Sequence, residues 1–263
     1  MKIFPKKFLG QNFLINQNII DQIVAQGNIC ADDSILEVGP GTGALTKSII
    51  EKKPKEIILI EKDERLANYL KINFTDKVKV INEDMLNISY DDYSGKNMII
   101  FGNLPYNIST QILAKWIKMR ELNQFCKKFI LMFQKEVADR IIAESNSKKY
   151  GRISILSNWR MKIKKIIDIE PSSFKPAPKV KSTLLVFVPK KKFFKFKDPK
   201  NLEHVTNIFF SQRRKMIKKP LKFLFKNFED ISKKLSLDLS LRPQNLNNDT
   251  YYKICEIYEK LIN

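Results

Sequence analysis

Histidine is nearly absent: His204 is the only one in 263 residues. Ser-His-Asp, Cys-His and histidine-rich metal sites all need an imidazole close to the chemistry, so most hydrolytic mechanisms lose their base. Cysteine is scarce too. Cys30, Cys126 and Cys255 are odd in number and far apart, which argues against a disulfide framework and a closed cysteine metal site, and all three are expected to be core thiols. No apolar run reaches the roughly 18 residues that span a bilayer. The opening "MKIFPKKFLGQNFL" has neither the apolar stretch nor the small-residue cleavage site of a signal peptide, so no membrane and a cytoplasmic address are expected. Acidic residues are outnumbered, 28 Asp+Glu against 48 Lys+Arg, for a net charge of +20. A field of that sign concentrates polyanions, and nucleic acid is the first partner to consider.

What is present is a rhythm of short apolar runs with amphipathic segments between them. "SILEV" (34–38), "EIILIE" (56–61), "VKVINED" (78–84), "NMIIFGN" (97–103) and "KKFILMFQ" (127–134) read as strands of an α/β fold with a mostly parallel sheet. In such a sheet ligands bind beyond the carboxyl ends of the strands. "MKIKKIIDIE" (161–170) and "STLLVFVP" (182–189) are joined by a proline-bearing segment too short for a crossover helix, and read as an antiparallel pair closing the sheet. After Pro189 the composition changes. A basic linker, "KKKFFKFKDP", precedes helical spacing at Leu202, Val205, Ile208 and Phe209 and again at Leu221, Leu224, Phe225 and Phe228. The expected domains are therefore 1–189, binding the small ligand, and 190–263, small, helical and RNA-binding.

The residues that follow each strand carry the chemistry. "GPGTG" lets the chain turn sharply at Gly39 and Gly41 and approach a ligand without a Cβ in the way, with helix amides beyond it. A structural turn alone would need the same residues. Glu61, 18 residues past Gly43, suits both ribose hydroxyls of an adenosine-containing ligand, which fits NAD equally well. Asp84 can accept from an adenine amino group, or cap a helix, and the Met85 thioether can lie against the ring. At the fourth strand end stands "NLPY". Adenine's amino nitrogen is a poor nucleophile because its lone pair is delocalised into the ring. Two acceptors on its two N–H groups, the Asn103 side-chain oxygen and the Leu104 carbonyl, would draw it toward tetrahedral geometry. Pro105 biases Leu104 toward an extended backbone, and Tyr106 offers a face for the base.

Together "GQNFL" (10–14), "ILEVGPGTGALT" (35–46), "IEKDERL" (60–66), "EDML" (83–86), "GNLPYNIST" (102–110) and "FQKEVADRI" (133–141) resemble the KsgA family, the small-subunit ribosomal RNA adenine N6,N6-dimethyltransferases. The likeness continues through "SSFKPAPKVKST", "FFSQRRKMIKKPL" and "LRPQNL", covering nearly the whole chain. It implies a class I methyltransferase fold, Rossmann-like, using S-adenosylmethionine to methylate N6 of two adjacent adenines near the 3′ end of the 16S rRNA during ribosome biogenesis. By that analogy Asn12 and Leu14 close over the cofactor, and Gly39 and Gly41 pass beneath its methionine and ribose. Glu61 holds the ribose; Asp84 and Met85 take its adenine. Asn103 sits where donor and target meet, Leu104 and Tyr106 grip and stack the target adenine, and Phe174 stacks on its other face. The implied partner is small-subunit rRNA or an immature 30S particle, met by a monomer. Basic residues gather at Lys148, Lys149 and Arg152, at Lys175, Lys179 and Lys181, at 190–192 and from Arg213 to Lys222, as a phosphate-contacting surface requires. The phenylalanines of "KKKFFKFK" serve either packing or base stacking. An Erm-type large-subunit enzyme and a non-catalytic RNA-binding assembly factor are the rival readings.

Overall fold

The computed structural model describes residues 5, 11–89, 93 and 95–262. Gly10, which opens "GQNFL", lies outside them.

The chain forms two compact units, residues 1–138 with 162–190, and residues 139–161 with 191–263. In the first, a short strand β1 (Phe13–Leu14) and helix α1 (Gln17–Ala25) precede the alternation β2 (Ser34–Val38), α2 (Ala44–Ile50), β3 (Glu56–Glu61), α3 (Glu64–Asn73), β4 (Lys79–Asn82), β5 (Met98–Asn103). Then come α4 (Ser109–Ile117), the single turn α5 (Leu122–Phe125), β6 (Cys126–Gln134), α6 (Lys135–Ile141), and, past the excursion into the second unit, β7 (Met161–Ile169), β8 (Phe174–Lys175) and β9 (Ser182–Pro189). The sheet order is β4-β3-β2-β5-β6-β9-β7. The pairs β2–β3, β2–β5, β3–β4 and β5–β6 are parallel, and β9 runs antiparallel to β6. This is the expected mostly parallel sheet, with the two late strands on the closing edge.

The apolar runs form strands that are buried on both faces. Every residue of β2 is buried. Its neighbours lock the register: Leu36 faces Ile58 on one side and Ile100 on the other. After β2 the chain builds outward to β3 and β4, then returns to place β5 on the opposite side of β2. That reversal opens a crevice at the carboxyl ends of β2 and β5.

The second unit contains α7 (Arg152–Arg160), α8 (Lys200–Ser211), α9 (Lys218–Leu224), α10 (Phe228–Lys234) and α11 (Asn248–Ile262). Here the linear boundary expected at 189/190 needs correction, because α7 packs on α8 and α11. The reason is buried polar and aromatic pairing: Tyr252 Oη donates to the Ile155 carbonyl at 2.8 Å, and Trp159 Nε1 to the Phe194 carbonyl at 2.7 Å. The linker phenylalanines are packing residues of this unit, Phe196 lying 5.0 Å from the Trp159 ring and Phe194 5.3 Å from Tyr252. The spacing from Leu221 to Phe228 spans two helices, α9 ending at Leu224 and α10 starting at Phe228. His204 stacks on Tyr258. Of the cysteines, Cys126 and Cys255 are buried as expected, whereas Cys30 is exposed, since it ends the turn after α1 rather than an apolar face. Among the described residues no helix is long and apolar enough to cross a membrane.

Candidate active site

At the carboxyl ends of β2 to β5 lies a cavity of about 510 Å³. Its wall brings together Asn12, Leu14, Gly39, Gly41, Glu61, Asp84, Met85, Asn103, Leu104, Pro105 and Tyr106. Those are the residues predicted for cofactor and target, one alone missing.

The missing one is Phe174. Its strand β8 pairs with β1, Leu14 opposite Phe174, and its ring is buried in the apolar core with Leu14 rather than on the cavity wall. A two-residue ribbon far apart in sequence leaves no periodicity to read. In this structure Phe174 supports the strand that carries Leu14.

The glycine turn is shaped for close approach. Gly39 and Gly41 adopt φ of +67° and +61°, the left-handed region that L side chains rarely enter. A Cβ on Gly41 would also meet the Phe13 ring at 2.9 Å. Beside the turn, Glu61 Oε2 accepts from Gly41 N at 3.2 Å and Oε1 from Asp63 N at 2.9 Å. Each oxygen keeps a further lone pair, so the carboxylate is aimed before any ligand arrives. Burial raises its pKa, helped by the nearby Asp63 charge, against the lowering effect of the backbone donors of Asp63, Gly41 and Lys62.

Asp84 is set by its neighbours. Lys62 Nζ lies 2.7 Å from Oδ2, and Leu86 N donates to Oδ1 at 2.9 Å. The Lys62 contact, foremost, holds the carboxyl below its usual range, so it is an acceptor throughout neutral pH. Lys115, from α4, ties down the same turn by donating to the carbonyls of Leu86 at 2.6 Å and Ile88 at 3.0 Å. Met85 is buried on the wall.

Asn103 closes β5 and donates its Nδ2 to the Asn12 carbonyl at 2.9 Å. That bond fixes the amide plane and leaves Oδ1 as the acceptor. It also couples the Asn12 segment to the strand end. Tyr106 is half-buried, and its Oη pairs with Ser182 Oγ at 2.6 Å. The ring is thus tethered by a hydroxyl for which the sequence pattern offers no role.

Sequence reasoning also missed Glu37, Gln11, Lys62 and Lys115. Glu37 lies on the cavity wall, is fully buried, and accepts from Thr46 Oγ1 at 2.7 Å. Burial, with a smaller contribution from Glu61, pushes it up to about 7. An acid inside the apolar "SILEV" was the available signal. Gln11, also on the wall, donates to Asp63 Oδ2 at 3.1 Å.

A parallel sheet reversing at β2/β5 and closed by the antiparallel β9 between β6 and β7, with a glycine turn and an acid at the ends of the next two strands, is the architecture of a class I methyltransferase, whose methyl donor is S-adenosylmethionine. The ribosomal RNA adenine dimethylase family matches residues 4–262, and the chain belongs to it. Ribosomal RNA small subunit methyltransferase A of Pelagibacter ubique (strain HTCC1062) is 52% identical over 261 residues, 99% of each chain. The protein of the same name from Ehrlichia chaffeensis (strain ATCC CRL-10679 / Arkansas) is 41% identical over 258 residues, 96% of each. A dimethyladenosine transferase from Plasmodium falciparum superposes with a TM-score of 0.82 at 27% identity, covering 94% of this chain and 98% of that one. A 23S rRNA methyltransferase, ErmE, shares the fold at TM-score 0.71 and 19% identity, over 95% of this chain and all of that one.

Proposed function

We propose that this chain transfers methyl groups to N6 of two adjacent adenines near the 3′ end of small-subunit ribosomal RNA during ribosome assembly, acting as a cytoplasmic monomer on the RNA or on an immature 30S particle. The observation that carries the reading is the fixed Asn103 amide. Its nitrogen is committed to Asn12, so the oxygen is left as the acceptor at the strand end, where "NLPY" lines the cavity. The relatives named for the small subunit favour that RNA over a large-subunit adenine.

S-adenosylmethionine, when bound, supplies a methyl group already activated on a sulfonium. The residues fit such a group: a glycine cradle closed to any Cβ, an aimed buried carboxylate for two hydroxyls, and an ionised aspartate beside a thioether for an aminopurine. Glu61 holds the ribose, Asp84 and Met85 the adenine, and Asn12 and Leu14 cover them.

On the target side, Asn103 Oδ1 and the Leu104 carbonyl accept from the two N–H groups of the amino nitrogen and draw its lone pair out of the ring. Tyr106 stacks on the base, tethered through Ser182. Positioning carries most of the barrier reduction, and the proton leaves to water afterwards. For the second transfer one N–H remains, and one acceptor is enough to orient it. The helical unit and its basic residues bind the RNA backbone. Purified protein given S-adenosylmethionine and unmethylated small-subunit or large-subunit rRNA tests this: dimethyladenosine in the small-subunit RNA supports it, and methylation confined to the large-subunit RNA overturns it.

A further inference from the structure

Between Gln212 and Phe228 the chain has no Asp or Glu. In the second unit Arg214, Lys215, Lys218, Lys219, Lys222 and Lys226 are all exposed. Lys218 and Lys222 stand four apart on α9, and like charges at that spacing repel along a helix face. Amid them Phe223 is 76% exposed, and Met216, just before the helix cap Ile217, is 55% exposed. The other face of α9 is used up: Pro220 and Leu221 are buried. Phe223 therefore has no part in the core, and Lys219 is its neighbour one turn back.

In the free chain both features are unfavourable, the unbalanced cations and the wetted ring. A phosphate chain relieves only the first. A phosphate chain whose bases are unpaired relieves both, because every base has a π-face and every linkage a charge. An anionic lipid surface is a poorer match, since only two large apolar side chains project, Met216 and Phe223, and interfacial binding scales with buried apolar area.

Resting on the function proposed above, we infer that Phe223 is a stacking platform for an unpaired base of the RNA substrate, framed by the phosphate-binding cations of α9 and the loop before it. Arg213 is excluded from that frame: it is half-buried, and its Nη2 donates to the Lys148 carbonyl.

The experiment measures binding of the full chain, by fluorescence anisotropy at several salt concentrations, to a single-stranded fragment of small-subunit rRNA and to a blunt RNA duplex of equal length. For Phe223→Ala, single-strand affinity should fall about tenfold with the salt slope unchanged, and duplex affinity should stay put. Phe223→Trp should retain binding and Phe223→Leu should lose it. Lys219→Glu with Lys222→Glu should instead flatten the slope, by about one for each phosphate no longer neutralised. Unchanged S-adenosylmethionine affinity and melting temperature in the Phe223 variants would exclude a folding defect. Phe223→Ala binding as tightly as wild type, equal loss on duplex and single strand, or full binding by Phe223→Leu would overturn this inference while leaving methyl transfer intact. Loss of binding to phosphatidylglycerol vesicles in Phe223→Ala, with RNA binding unaltered, would replace it with a membrane contact. Wild-type protein that neither binds nor methylates small-subunit rRNA would overturn the function itself.

Discussion

Replacing Asn103 by alanine removes two things that the structure separates. One is the Oδ1 acceptor, free to meet the amino nitrogen; the other is the 2.9 Å donor to the Asn12 carbonyl. The acceptor matters most as nitrogen becomes tetrahedral, so its loss falls on the rate, and one well-placed polar group in a reaction centre is worth about 10²- to 10³-fold, or about 3 to 4 kcal/mol. The donor matters to the ground state, because it anchors the Asn12 segment, which we propose covers the cofactor. Losing it costs about 1 kcal/mol of cofactor affinity, roughly fivefold. Single-turnover methyl transfer with enzyme in excess reads the first effect, and calorimetry with S-adenosylmethionine reads the second. RNA affinity should be unchanged. A variant that transfers methyl at the wild-type rate refutes the grip assigned to "NLPY", while one whose entire defect is in cofactor affinity reduces Asn103 to an anchor for Asn12.

Glu61→Gln should weaken S-adenosylmethionine binding by about 1 to 3 kcal/mol through loss of charge-assisted hydrogen bonds while keeping oxygen for Gly41 or Asp63; unaltered calorimetry would remove Glu61 from the ribose. Glu37 binds its proton more tightly when folded, near 7 against 4.5 ordinarily, so its contribution to stability is present at low pH and declines as pH rises from about 4.5 through 7. At about 1.4 kcal/mol per pH unit the decline reaches about 3 kcal/mol, and Glu37→Gln should flatten the denaturation profile across that window, whereas an identical slope would show that Glu37 is not the group responsible. Tyr106→Ala should cost about 1 to 3 kcal/mol of base stacking, while Tyr106→Phe keeps the ring but strands the buried Ser182 hydroxyl, lowering stability by about 1 kcal/mol; equal catalytic damage in both would mean the hydroxyl, not the face, is used. Reversing Arg214 and Lys215 should weaken RNA binding and reduce its salt slope by about one for each phosphate released, with cofactor affinity unchanged, and an unaltered slope would assign them to solubility.

The site was legible where chemistry sits at strand ends, because a parallel sheet places those residues in one crevice whatever the details of packing. That Glu61, Asp84 and Asn103 line one cavity needed only the position of each strand. What the sequence hid depends on partners far along the chain. The Tyr106 hydroxyl meets Ser182, and Phe174 pairs with Leu14 in the apolar core. Residues 139–161 carry no compositional mark of the helical unit, and join it because Ile155 and Trp159 bury there. Arg213 reads as one more cation of a basic run, yet its half-buried guanidinium is held by a backbone carbonyl within its own unit. Lys149 and Lys181, also read as phosphate ligands, are paired with Asp139 and Glu170. Charge counts survive folding; the availability of each charge does not.

The central claim is that this chain dimethylates small-subunit rRNA through the Asn103 grip, and mass spectrometry of that RNA tests it most directly. RNA from cells lacking the protein should be missing dimethyladenosine at two adjacent positions near the 3′ end, restored by the wild-type chain and not by Asn103→Ala. Dimethyladenosine present without the protein, or restored in full by Asn103→Ala, would contradict the account.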